Sequence, residues 1–202
     1  EFKGKDTQIF IDSVGDPMTL PKIIELIKKL SKIKNISKIS MVTNGTLITN
    51  KIKQLEPYLD EINVSIHSLQ EEQAQLLSGN KTYNLKQILK NLKELSKTKI
   101  KLVLTPVYLP NVNDKEIPKI LDLAKELNCT LGIQKYEVYK FSRKLKKAKN
   151  ITYFKFYKQL EDWEKRNNQK LRLTKEDVSL EKRESFPIKL ELNKVYKAKI
   201  KC

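Results

Sequence analysis

What most constrains this chain is a series of short, apolar, β-branched segments, each stopping at a small or polar turn and giving way to an amphipathic helix. The first is Ile9 to Leu20, IFIDSVGDPMTL, in which Phe10, Asp12 and Val14 alternate with Ile9, Ile11 and Ser13. Its largely apolar make-up predicts a strand buried on both faces that ends at Gly15-Asp16-Pro17. Pro21 opens a helix whose apolar positions are Ile23, Ile24, Ile27 and Leu30. Further strands are expected over Ile36 to Thr43, Glu61 to Ile66, Ile100 to Val107 and Thr130 to Gln134. Between them, helical spacing runs through Ile52, Leu55 and Leu59 (capped by Thr49 or Asn50), Gln70 to Leu77, and Asn84 to Lys97. Another helix, with Asp114 as its N-cap, carries Ile117, Ile120, Leu121, Ala124 and Leu127. Strand–helix alternation with short connections predicts a parallel α/β sheet or barrel with right-handed crossovers.

In such folds ligands sit at the carboxyl ends of the strands. Those ends carry Gly15-Asp16-Pro17, Thr43-Asn44-Gly45, Ser65 with His67-Ser68, Thr105-Pro106 with Asn111 to Asp114, and Gln134. Asp16 is suited to accept from a ligand ammonium, and Asn44 and Ser65 to bond hydroxyls or a carboxylate. Each turn by itself has a plain structural reading, since Gly-Asp-Pro is ordinary turn chemistry. His67, the one histidine, is as well suited to a buried structural bond as to acid–base work. No Cys/His metal spacing, phosphate-binding glycine loop, Ser-His-Asp order or GxGxxG turn occurs.

The 202 residues carry a net charge of +17, and residues 141–202 hold 19 Lys and Arg against 8 Asp and Glu, net +11. That balance leans toward a polyanionic partner such as RNA or DNA, although lysine-rich composition alone also produces it. No apolar run approaches the ~20 residues of a membrane span, and EFKGKDTQ lacks the apolar core of a signal peptide. Two cysteines, Cys129 and Cys202, without metal or disulfide spacing predict a reducing, cytoplasmic setting. From Phe141 the chain turns into a basic connector, Ser142 to Asn150. An aromatic helix follows over Ile151 to Asn168, read as docking on the first domain, and then one or two strands over Ile188 to Ile200. Two domains are expected, 1–140 and 141–202.

The succession VGDPMTL, MVTNGTLI, INVSIHSL, LSGN with a long helix after it, and LTPVYLPNVND resembles the radical S-adenosylmethionine superfamily over about residues 5–140. The resemblance implies a partial (β/α)6 TIM-like barrel, its first unit incomplete here, followed by a basic α/β appendage. It implies S-adenosylmethionine and a 4Fe-4S cluster as cofactors. Gly15, Asp16 and Pro17 would hold the methionine amino group, Asn44 and Ser65 would lie near ribose and carboxylate, and the segment around Pro106 and Val107 near adenine, with Thr43 and His67 also among the cofactor-binding residues. Asp16 stands where the family usually has Glu, and His67-Ser68 where many members have Asp. The CxxxCxxC loop that ligates the cluster belongs before residue 9 and does not occur in this sequence, which begins at Glu1. Either that loop lies outside these residues or the chain is a cluster-less relative; on its own the segment would be inactive. The basic tail loosely resembles the start of a TRAM-type RNA-binding barrel. The expected function is thus a radical enzyme modifying RNA, with tRNA as substrate. The alternatives are the same chemistry on a protein or peptide, such as an activase, and a cluster-less RNA-binding protein.

Overall fold

The computed structural model describes residues 7–140, 144–145, 147–174 and 191–195. The chain divides into two compact units, Glu1–Arg172 and Leu173–Cys202. In the second, residues 191–195 form a turn with Asn193 at φ 64°. The strands expected over Ile188 to Ile200 lie largely outside the described residues, as do Ser142, Arg143 and Lys146 of the connector.

The first unit is built on β1 (Thr7–Ile11), β2 (Ile36–Thr43), β3 (Glu61–Val64), β4 (Lys101–Leu104) and β6 (Thr130–Leu131), hydrogen-bonded in the order β1-β2-β3-β4-β6. Every pair is parallel. A doubly wound sheet reverses its strand order part-way along; here the order follows the chain, which is the winding of a (β/α) barrel arc. The fold is therefore α/β, a partial TIM-like barrel. Helices α1 (Ile23–Leu30), α2 (Ile52–Leu55), α3 (Glu71–Ser78), α4 (Leu85–Leu95) and α5 (Glu116–Glu126) fill the crossovers.

Strand register sorts the side chains into two faces, since successive residues point to opposite sides. Met41, Ile62 and Leu102 are paired neighbours and join the core with Ile23 and Ile27 of α1, Ile88 and Leu92 of α4, and Ile117 and Ile120 of α5. The other face carries Phe10, Ser40, Glu61 and Lys101 in one row, and Val42, Asn63 and Val103 in the next. Phe10 is 59% exposed. The expectation that the first strand is buried on both faces is corrected: Gln8 and Phe10 are exposed at the β1 end of a polar face whose Ser40, Glu61, Asn63 and Val103 are buried. Glu61 bridges Lys38 (2.8 Å) and Lys101 (3.2 Å) there. Burial works to raise its carboxyl, but the two lysines outweigh this and hold it below the usual carboxylate range.

The strand expected over Ile100 to Val107 breaks in two, because Pro106 has no N–H to continue the ladder. Beyond the break, β5 (Val107–Tyr108) pairs in parallel with β7 (Gln134–Lys135) as a separate two-stranded step. Helix α6 (Tyr153–Asn167) belongs to the first unit and buries Phe156, Leu160 and Trp163, with Trp163 edge-on to Tyr108 at 4.9 Å. Two expected caps are corrected. Lys51 rather than Thr49 or Asn50 precedes α2, with Thr49 turned onto Asn91. Lys115 rather than Asp114 precedes α5, and Asp114 accepts from the Tyr108 hydroxyl (2.9 Å).

Candidate functional site

Because all strands run parallel, the turns after β1, β2, β3 and β5 emerge at one end of the sheet. Side chains then tie them to one another. The Asp16 carboxylate caps a 3-10 turn, Pro17–Thr19, by accepting from the Met18 amide (2.9 Å). It also accepts from the Thr43 hydroxyl (2.9 Å to Oδ2) and the Asn44 amide (2.7 Å). This single carboxylate clasps the turn after β1 to the turn after β2. Pro17 is buried beneath it, while Gly15 is exposed at φ +109° with open space where a Cβ would stand.

Thr43 is buried, and its oxygen also accepts from the Gly45 amide (3.1 Å). Asn44 turns its amide oxygen back onto Thr46. Gly45 adopts φ +80°, and a Cβ there would come within 3.2 Å of Val64 Cγ1 and 3.3 Å of Ile88 Cγ2. Behind this turn Asn91, fully buried on α4, donates to the Thr49 hydroxyl (3.0 Å) and accepts from Gln87 (3.0 Å).

The Ser65 amide continues the ladder by donating to Thr43 O (2.9 Å), which places Ser65 beside Asn44 on the open face. His67 Nδ1 accepts from the Val107 amide (3.1 Å), so the ring proton sits on Nε2. Burial pushes the His67 imidazole down to about 4. Buried Asn113 completes the join, donating to His67 O (3.0 Å) and Val107 O (2.9 Å) and accepting from Leu109 N (2.8 Å). Pro106 is buried, and its carbonyl accepts from Gln134 N (2.8 Å). Asn44, Ser65, His67, Ala74, Ser78 and Tyr83 share a cavity of about 150 Å³. Burial, helped by the Glu71 charge, pushes the Tyr83 phenol up to about 12, so the cavity wall is uncharged there at neutral pH.

A depressed histidine weakens the fold on the acid side: the unfolded chain takes up a proton near 6.5, which the folded chain refuses until about 4. Stability is expected to be complete above pH 6.5 and to fall by about 2–3 kcal/mol as the pH drops toward 4. Because the chain has one histidine, a single imidazole resonance followed by NMR reads this directly, and a midpoint near 6.5 in the folded protein would contradict it.

Sequence reasoning missed Asn91, Glu116 and Tyr83, while Asn113 falls within the polar loop expected at the strand ends. Asn91 had left a signal, a polar residue lodged inside the apolar stripe of α4 beside Ile88, Leu92 and Leu95. Glu116, 2% exposed, accepts from Ser68 Oγ (3.0 Å), Leu69 N (2.8 Å), Gln70 Nε2 (3.0 Å) and Lys119 Nζ (2.7 Å). It anchors the segment that follows His67 to the start of α5. A larger cavity of about 290 Å³ lies at the opposite end of the strands, beside Asp60 and Glu56. Both carboxylates there are engaged by backbone amides, of Ile39 and Lys99, so this end reads as structural.

Residues 1–124 match the Radical SAM superfamily, and the chain belongs to that superfamily. Over 226 aligned positions it is 32% identical to the uncharacterised protein MJ0103 of Methanocaldococcus jannaschii, covering 99% of this chain and 52% of that protein. The chain thus spans about half the length of the curated relative it matches. Among solved structures it is similar to Streptococcus suis SuiB (TM-score 0.62, 17% identity, 81% of this chain and 37% of that one). It is also similar to anSMEcpe with bound AdoMet (TM-score 0.61, 18% identity, 83% and 50%). A domain of pyruvate-formate lyase-activating enzyme from Bacteroides vulgatus gives a TM-score of 0.59 at 13% identity, over 78% of this chain and 92% of that one. At these identities the likeness is one of fold.

The superfamily uses S-adenosylmethionine with a 4Fe-4S cluster. The two groups fit these residues differently. For the nucleoside the rim offers acceptors, a neutral imidazole N–H and a cavity between two turns. For the cluster, the sequence holds two cysteines where three thiolates are needed. Burial pushes the Cys129 thiol up to about 11, away from the thiolate that would bind iron. Among the described residues no group of three His, Cys, Asp or Glu stands where it would hold a metal ion, and no helix is long and apolar enough to cross a membrane.

Proposed function

We propose that this chain forms the S-adenosylmethionine seat of a radical enzyme that modifies RNA. The observation that supports the reading is the joining of turns from four strands at one end of the sheet. Asp16 ties Thr43 and Asn44, and His67 ties Val107. In this reading Gly15, Asp16 and Pro17 receive the methionine ammonium. A carboxylate offers about four acceptor positions; the chain's three donors to Asp16 leave one for the ligand. Open, left-handed Gly15 lets the backbone come close to it. Asn44 and Ser65 bond the ribose and the carboxylate, Pro106 and Val107 border the adenine, and Thr43 acts through Asp16. His67, neutral with its proton on Nε2, donates into the cavity.

When bound, S-adenosylmethionine would supply the radical chemistry of the superfamily, with the electron coming from a cluster whose ligands are not among these residues. The part carried by these 202 residues is to bind and orient the nucleoside and to shield it from water. RNA as substrate, which in this reading is tRNA, is supported only through the polyanion preference of a net charge of +17, and a cytoplasmic setting by the free thiol of Cys129. A peptide substrate is the second reading, supported by the fold shared with SuiB, solved bound to precursor peptide SuiA, and with anSMEcpe, solved with the Kp18Cys peptide.

Calorimetric titration of the 202-residue chain with S-adenosylmethionine tests the seat. Saturable binding is expected, and Ser65→Ala should weaken it about 5- to 15-fold, as loss of one hydrogen bond. No heat of binding, or unchanged affinity in Ser65→Ala, would overturn the assignment. For the longer parent protein, reconstituted anaerobically and reduced, formation of 5′-deoxyadenosine is the expected product.

A further inference from the structure

We infer that the segment leaving β7 and the first half of α6 form a surface that binds single-stranded RNA through stacked rings and lysines. This rests on the RNA reading of the substrate. Between Glu137 and Glu161 the nineteen described residues carry six Lys and no Asp or Glu. Four aromatic rings of this stretch face water: Tyr139 is 68% and Phe154 77% exposed, and Tyr153 and Tyr157 are exposed as well. Helix α6 makes its core contacts with Phe156, Leu160 and Trp163, so the outer rings are not what holds it in place. Large rings gathered on one exposed patch mark a contact surface rather than a solvated face.

The rings are pre-arranged. Tyr153 and Tyr157 stand one helical turn apart with centroids 6.3 Å apart and planes 30° from parallel. Lys135 Nζ lies 4.9 Å from the centre of the Tyr153 ring and is itself held by Glu137 (2.8 Å) and Asn150 (3.0 Å). The Tyr153 hydroxyl bonds Glu137, with Tyr139 beside it, and both interactions raise the Tyr153 phenol. Tyr153, fixed by this network, loses little freedom when a flat partner stacks on it.

The chemistry selects that partner. An unpaired base offers a π-face to each ring and a phosphate to each neighbouring lysine, and sequence-tolerant single-strand binding combines these two elements. An acidic peptide would satisfy the lysines but not the rings. The surface also has the right placement. Tyr136 to Tyr139 leave the C-terminal end of β7, and β7 pairs with β5, whose Val107 is bonded to His67. RNA gripped here lies at the same end of the sheet as the proposed nucleoside seat.

The test is fluorescence anisotropy of a labelled 12-nucleotide oligouridylate with the 202-residue chain over a range of salt, run beside calorimetry with S-adenosylmethionine. Binding is expected with a log–log salt slope on the order of −3, corresponding to four or five phosphates. Phe154→Ala should weaken it about tenfold and Phe154→Ala with Tyr157→Ala further, with Phe154→Tyr close to the parent chain and thermal melting of Phe154→Ala unchanged. No oligonucleotide binding would overturn the proposal, as would Phe154→Ala binding like the parent chain, which indicates charge alone. Equal, ring-dependent binding of an oligoglutamate would assign the surface to a peptide instead. If the oligonucleotide behaves as expected and the nucleoside does not bind, the surface stands and the seat falls; with the opposite pair of results the seat stands and the surface falls.

Discussion

Asp16→Ala is expected to destabilise the first unit by about 3 kcal/mol and to weaken S-adenosylmethionine binding 10- to 100-fold. Three donors converge on this carboxylate from two turns, and bonds to a charged acceptor contribute about 1.5–3 kcal/mol each, without simple additivity. Truncation leaves the Met18 and Asn44 amides without their acceptor and releases Thr43, so the turn after β2 loses its register with the turn after β1. In a unit of this size the melting temperature should fall by about 6–12 °C. Asp16→Asn keeps the shape but sets an NH2 against donors on one side, and should lie between the two. Urea unfolding measures the stability and calorimetry the affinity. An Ala variant as stable as the parent chain would mean that the clasp contributes nothing.

Glu116→Ala should cost more still, about 3–5 kcal/mol, because it removes a buried acceptor on which four donors meet. Burial of Glu116 acts to raise its carboxyl. The bonds from Lys119, the Leu69 amide and Ser68, with the Lys119 charge, prevail and hold it below the usual range. A lowered carboxyl contributes stability that is complete above its ordinary value and lost as the pH falls through the folded one. Glu116 and Glu61 share this sign, so acid unfolding should steepen below about pH 4.5, following the earlier loss from His67. Glu116→Gln, which keeps the shape without the charge, should flatten the acid limb in chemical denaturation measured across pH. An identical limb in that variant would remove Glu116 from the account.

The parallel βα alternation was legible because apolar runs of strand length alternate with stripes at helical spacing; α4 and α5 follow their stripes almost residue for residue. Burial of β1 was not legible. Sequence pattern reports apolar content, whereas exposure of Phe10 depends on which strands pair with β1. The break at Pro106 was in principle readable, since proline cannot donate to a central ladder, but an apolar strand continuing through it fits the same letters. At the site, the turns after β1, β2 and β3 announced themselves through Gly, Asp, Asn and Ser. The joins between them did not. That Asp16 reaches Thr43, or that Asn113 spans His67 and Val107, follows from three-dimensional proximity across 27 and 46 residues, and no local spacing encodes it.

The glycine of the turn after β2 has a consequence for how such a site diversifies. At Gly45 the backbone conformation disfavours a side chain, and Val64 and Ile88 would have to give by a few tenths of an ångström to admit one. The turn that would face a nucleoside is thus cast against the hydrophobic interior and has little slack. Any variant that widens or reshapes the pocket must do so through its lining groups, among them those at 44, 65, 67, 74, 78 and 83. Tinkering at 45 propagates inward as an unpacked core long before it appears as altered ligand preference.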